Sequence, residues 1–103
     1  MTPEKIVQNA VISYLKDLEK AGNAVYVERR QAGGFSYKMG IADLYAVIDG
    51  QHVEIEIKRK GGHQSVMQEK WELRCKQLKM KYVCVADVAQ VRDFIYDTFN
   101  IKL

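Results

Sequence analysis

IADLYAVIDGQHVEIEIK, residues 41–58, is the stretch that decides the fold. Two runs rich in β-branched and aromatic residues flank Asp49-Gly50. Asp-Gly in that setting marks a β-hairpin, because the central residues of a tight hairpin turn need a left-handed backbone. If Asp49 and Gly50 form a two-residue turn, Ile48 pairs with Gln51, and counting outward sets Asp43 opposite Glu56. A four-residue turn keeps the same faces but sets Asp43 opposite Lys58, and the sequence leaves both registers open.

Side chains alternate between the faces of a strand, so Leu44, Ala46 and Ile48 share an apolar face with Val53, Ile55 and Ile57. A register that buries this face turns Asp43, Glu54, Glu56 and Lys58 outward. Read alone, EIEIK describes the solvated face of an amphipathic strand equally well. Three gathered acids repel one another, however, and opposed like charges destabilise a sheet. Lys58 supplies one compensating charge, and a bound divalent cation would supply two.

Upstream, Thr2 is placed to cap a helix with Pro3 at its first position, and Ile6, Val7, Ala10, Val11, Tyr14, Leu15 and Leu18 recur at helical spacing, predicting a helix over about residues 3–21. AVYVERR reads as a short strand and QAGGFSYKMG as a loop. Downstream, RKGGHQ is a polar loop. Ser65 with Gln68 forms a capping-box pattern opening a helix with the stripe Met67, Trp71, Cys75 and Leu78, and Trp71 is expected in the core. YVCVA is a buried strand, and Asp87 with Gln90 starts a last helix bearing Val91, Phe94, Ile95 and Phe99. The predicted order is αβββαβα, an α/β (α+β) fold. Its first three strands form an antiparallel meander, and the fourth joins in parallel after a right-handed crossover.

The chain has 103 residues and is expected to form one domain. Its 48% hydrophobic and 28% charged content exclude disordered and fibrous classes. A net charge of +3 and a pI near 8.9 permit a nucleic-acid partner without demanding one. The N-terminus lacks a signal-peptide pattern, and no apolar run is long enough to span a membrane. Cys75 and Cys84 show no zinc spacing and read as core thiols in a reducing, cytoplasmic compartment. His52 and His63 are given no catalytic role.

GIADLYAV followed by EIEIK resembles the G-x-P-D and (D/E)-x-K elements of the PD-(D/E)XK nuclease superfamily, and more narrowly the virus-type replication-repair (VRR-NUC) nucleases. The resemblance spans nearly the whole chain, with Ala42 standing where proline is usual. It implies that Asp43 and Glu56 are metal ligands, that Lys58 is the motif lysine, and that Gln68 lies beside the site. It also implies that Glu4 is the acid of the first helix, although Gln8 lies one turn on. In this reading the Ile57 carbonyl and a water held by Glu4 complete the metal shell.

Hard oxygen ligands suit Mg²⁺ or Mn²⁺, which acidify water and neutralise charge on phosphate oxygens. Lys58 is then placed to contact the attacking water or the phosphate. Arg29, Arg30, Lys38, Arg59 and Lys60 bracket the hairpin and are read as DNA-backbone contacts, or singly as solvated charges. Phe35 and Tyr37 are read as base-stacking groups or as loop aromatics packed on the domain. Gln68 also has the ordinary role of a capping-box partner, and Glu4 that of a first-turn acid. The implied activity is a Mg²⁺-dependent, structure-specific DNA endonuclease, acting as a homodimer on four-way (Holliday) junctions. The alternatives are a flap, end or single-strand nuclease and a non-catalytic DNA-binding module of the same fold.

Overall fold

The computed structural model describes residues 2–30 and 40–102. The expectations for Phe35, Tyr37 and Lys38 lie outside them. Helix α1 spans Pro3–Lys20 and begins as the sequence predicts, with Thr2 accepting a hydrogen bond from the Lys5 N–H at 3.2 Å. Strands β1 (Val25–Arg29), β2 (Leu44–Ile48) and β3 (Gln51–Ile57) follow. Helix α2 (Val66–Gln77), strand β4 (Lys81–Val85) and helix α3 (Val88–Phe99) complete the order.

The four strands form one sheet in the order β1-β2-β3-β4. The first three run antiparallel and β4 lies parallel to β3. Asp49 and Gly50 have φ of 51° and 80°, the pair of left-handed residues that a type I′ turn requires. Ile48 pairs with Gln51 and Leu44 with Ile55, so the two-residue register is the one adopted.

One sheet face carries Val25, Val27, Leu44, Ala46, Ile48, Val53, Ile55, Ile57 and Val85. They meet Val11, Leu15 and Leu18 of α1 and Val91 and Ile95 of α3, all fully buried. Buried aliphatic side chains of this size stabilise a fold by about 1.5–3 kcal/mol each, so this layer carries most of the core. The stripe of α1 is narrower than predicted, since Ile6 is 55% exposed.

The other face departs from expectation. Glu54 and Glu56 are buried, at 0% and 2% exposure, rather than turned to solvent. Helix α2 packs over this face, so both faces of β3 are covered and its alternation does not report exposure. Three further expectations are corrected. Cys75 is a buried thiol, but Cys84 is exposed. Met67 and Leu78 are 38% and 48% exposed, because α2 buries only Cys75 completely. Trp71 is half-buried and uses its indole N–H, so it is a polar contact as much as a packing residue. No described helix is long and apolar enough to cross a membrane.

Candidate active site

The α2-covered face of β3 presents two acids two residues apart, and the structure gives them opposite environments. Glu54 pairs with Tyr45 across the hairpin and with Tyr82 on β4, while Glu56 pairs with Cys84. Asp43 precedes β2 on the same side as Tyr45, and its carboxylate Oδ2 accepts the Ile57 N–H at 3.3 Å. The Asp43 and Glu56 carboxyls are near enough for each to act on the other's ionisation. The two acids thus lie at the end of the hairpin away from the tight turn.

Burial, followed by the charge of Asp43, pushes the Glu56 carboxyl up to about 8. Burial also raises Asp43, with the charge of Glu4 adding to it and the Ile57 N–H and Lys58 opposing it. Neighbouring carboxylates disfavour double ionisation, so near neutral pH the raised Glu56 favours its protonated form. Gln68 donates from Nε2 to Glu56 Oε1 at 2.6 Å. It also keeps its capping role, accepting the Ser65 N–H at 2.8 Å, so both expected functions of this side chain coexist. Glu56 Oε2 is buried without any hydrogen-bond partner.

An orphaned carboxylate oxygen beside a second acid fits a hard divalent cation. Mg²⁺ commonly takes only one or two carboxylates and keeps several waters. Glu4 is exposed, and no group of three or more His, Cys, Asp or Glu suited to a metal occurs among the described residues. The acids at the candidate site are therefore Asp43 and Glu56, and Glu4 acts on Asp43 only through its charge. Ile57 meets Asp43 through its N–H. Lys58 is half-buried, and its charge lowers both carboxyls.

Glu54 does not share in this acid cluster. Arg30 forks onto it, Nη1 to Oε1 at 2.6 Å and Nη2 to Oε2 at 2.8 Å. Trp71 Nε1 donates to Oε1 at 2.9 Å, and His52 Nε2 meets Oε2. Burial pushes the Glu54 carboxyl up, but the bonds from Arg30, His52 and Trp71 outweigh it and hold it below its ordinary value. The Arg30 guanidinium lies 5.0 Å from the Tyr45 ring centre, and Tyr45 stacks on His52 at 5.4 Å.

This network was missed in the sequence, where Arg30 was grouped with DNA contacts. Its guanidinium is committed to Glu54 instead. The parity of Glu54 with Glu56 was visible, but no local signal joins residues 24 positions apart. Arg29 also turns elsewhere, following Val25 and Val27 onto the α1 face, where it hydrogen-bonds Asn9. It lines a groove of about 530 Å³ between α1 and β1. Arg59 and Lys60 are exposed beyond the end of β3.

No family model and no curated protein matches the sequence. Among solved structures, one described as a VRR_NUC domain superposes with a TM-score of 0.74 at 20% identity, covering 96% of this chain and 99% of its own. A second, a VRR_NUC domain protein, gives 0.72 at 20% identity and covers 94% of this chain and 88% of its own. Asp43, Glu56, Lys58 and Gln68 therefore stand on the fold of a VRR_NUC domain.

Proposed function

We propose that the chain is a metal-dependent DNA endonuclease that hydrolyses phosphodiester bonds at the Asp43–Glu56 pair. The observation that carries this reading is the buried Glu56, with its orphaned Oε2, beside the half-buried Asp43 carboxylate that accepts the Ile57 N–H. The VRR_NUC-like fold and the resemblance of GIADLYAV and EIEIK to nuclease motifs support it. Asp43 and Glu56 would hold Mg²⁺ or Mn²⁺, and the Ile57 carbonyl and a water held by Glu4 would complete the shell. The bound ion supplies an acidified water and neutralises charge on the phosphate.

The residues of the chain do the rest. Gln68 holds Glu56 by its Oε1 and leaves Oε2 free, the oxygen that would bind the cation. Lys58 places a positive charge beside the attacking water or the phosphate, where negative charge grows in the transition state. Arg59 and Lys60, exposed at the end of β3, take the DNA backbone on one side of the scissile bond. Branched DNA is the proposed substrate and a two-fold dimer the proposed active form, since a two-fold protein matches a four-way junction.

Incubation with Mg²⁺ and a panel of four-way, flapped, single-stranded and linear DNAs tests this. Paired symmetric nicks in the four-way junction are expected. Trimming of flaps or ends alone would keep the chemistry and overturn the junction assignment. Binding without metal-dependent cleavage would overturn the enzyme.

A further inference from the structure

We propose that Glu54 is a positioning residue for the acid pair, fixing the backbone of Asp43 through Arg30 and the helix that carries Gln68 through Trp71. This role presupposes the metal-dependent reaction proposed above. Glu54 takes no part in that reaction directly. It is fully buried, and both of its oxygens are in use: Oε1 accepts from Arg30 and Trp71, and Oε2 from Arg30 and His52. Glu56, two residues on, keeps an unpartnered oxygen. One strand thus carries a saturated carboxylate suited to holding other groups in place and an open one suited to binding.

Arg30 transmits the first constraint. The β2–β3 ladder begins only at Leu44, so Asp43 lies beyond its regular pairing. Arg30 ties the two carbonyls that bracket the Asp43 Cα. Its Nη1 donates to the Ala42 carbonyl at 3.0 Å, and its backbone N–H donates to the Asp43 carbonyl at 2.9 Å. The fork onto Glu54 fixes the guanidinium that makes the first of these bonds. A bidentate, charge-assisted pair is well suited to this, since it sets orientation as well as distance.

Trp71 transmits the second constraint. It lies three residues after Gln68 on α2, so the two side chains leave the same face of the helix. Gln68 bonds Glu56 at 2.6 Å while Trp71 bonds Glu54 at 2.9 Å, which pins α2 to β3 at adjacent same-face positions of the strand. Gly40 allows the close seating of this helix. A Cβ there would lie 2.4 Å from the Met67 carbonyl carbon and 2.6 Å from the Gln68 nitrogen.

The test uses Trp71→Phe, which keeps the ring and loses the N–H, Arg30→Lys, which keeps the charge and loses the fork, and Glu54→Gln. For each, Mn²⁺ alone is titrated into the protein without DNA, followed by electron paramagnetic resonance of the free ion. Mg²⁺-supported cleavage is then resolved into kcat and KM, all below the melting transition of each variant. Outer-shell partners of metal ligands typically contribute about 10–100-fold in affinity, so a weakening of Mn²⁺ binding by about 10-fold is expected, with kcat falling in step and KM for DNA unchanged.

A purely structural role would lower the melting temperature and leave the Mn²⁺ Kd and the kcat of folded protein at wild-type values. That result in Trp71→Phe and Arg30→Lys overturns the proposal, whether or not Glu54→Gln folds. If the wild-type chain itself neither binds Mn²⁺ nor cleaves DNA, the nuclease reading fails and takes this role with it. If the wild type does both and the variants match it, only the role of Glu54 fails.

Discussion

At the scale of single residues, placing Asp43 beside the buried Glu56 costs stability once both are ionised, a cost that a bound cation would offset. Glu56 ordinarily titrates at 4.5 and is raised to about 8 in the fold. A group whose folded value is raised stabilises the fold in its protonated form. That stabilisation is complete below the ordinary value and is lost as pH rises through about 8. The melting temperature of the metal-free chain should therefore fall between pH ~5 and ~8.5, and saturating Mg²⁺ should remove most of that fall by taking the place of the proton. Calorimetry across this range with and without Mg²⁺ checks it. Glu54 has the opposite sign: its lowered carboxyl contributes stability above its ordinary value, and that contribution is lost as pH falls through the lowered one. Asp43→Asn and Lys58→Ala should each reduce kcat by at least ~100-fold, since each removes charge that acts in the transition state. Asp43→Asn should also raise the melting temperature of the metal-free chain at pH 8, because it removes a like charge. Single-turnover cleavage and thermal melts of the same preparations measure both effects.

At the scale of elements, the hairpin was legible because two independent constraints agree on it. Asp49-Gly50 demands a left-handed turn, and only one parity gives a wholly apolar face, so the pairing of Leu44 with Ile55 follows from residues close in sequence. The caps were legible for the same local reason: Ser65 with Gln68 and Asp87 with Gln90 bond within a single turn. Covering of the second face was not legible. Alternation of Glu54 and Glu56 with isoleucine reads as exposure unless something seals that face. The seal comes from Trp71 on α2 and from Arg30, which lie 17 and 24 positions from Glu54. Replacing Ser65 with Ala should cost about 1 kcal/mol, the usual worth of a helix cap. Gly40→Ala should cost more than ~1 kcal/mol, because a Cβ there meets backbone and φ is +69°. It should also lower kcat by displacing Gln68. Urea unfolding with cleavage assays separates the two losses.

At the scale of the whole molecule, the sheet divides the labour. Its α1 and α3 face is a dry aliphatic core, and its α2 face buries a polar network that ends in an open carboxylate. The fold was readable from apolar parity together with turn and cap residues. The partition of the acids into a saturated Glu54 and an open Glu56 emerges only when distant elements are brought together. Of the basic residues, Arg29 hydrogen-bonds Asn9 and Arg30 forks onto Glu54. Arg59 and Lys60 remain exposed, and replacing both with Ala should weaken DNA binding regardless of sequence. It should also reduce the slope of log K against log salt by about 2, one for each lost phosphate contact. Leu15→Ala, at the centre of the α1 core, should cost about 2–5 kcal/mol without altering the cleavage pattern of the folded fraction.

Asp43 and Glu56 are proposed to hold a divalent cation between them. Anomalous diffraction from crystals grown with saturating Mn²⁺ reads this directly. A single strong peak within coordinating distance of carboxylate oxygens from both residues is the predicted result, and it should vanish in Asp43→Asn. A Mn²⁺ peak elsewhere on the molecule, with none beside these two carboxyls, would contradict it.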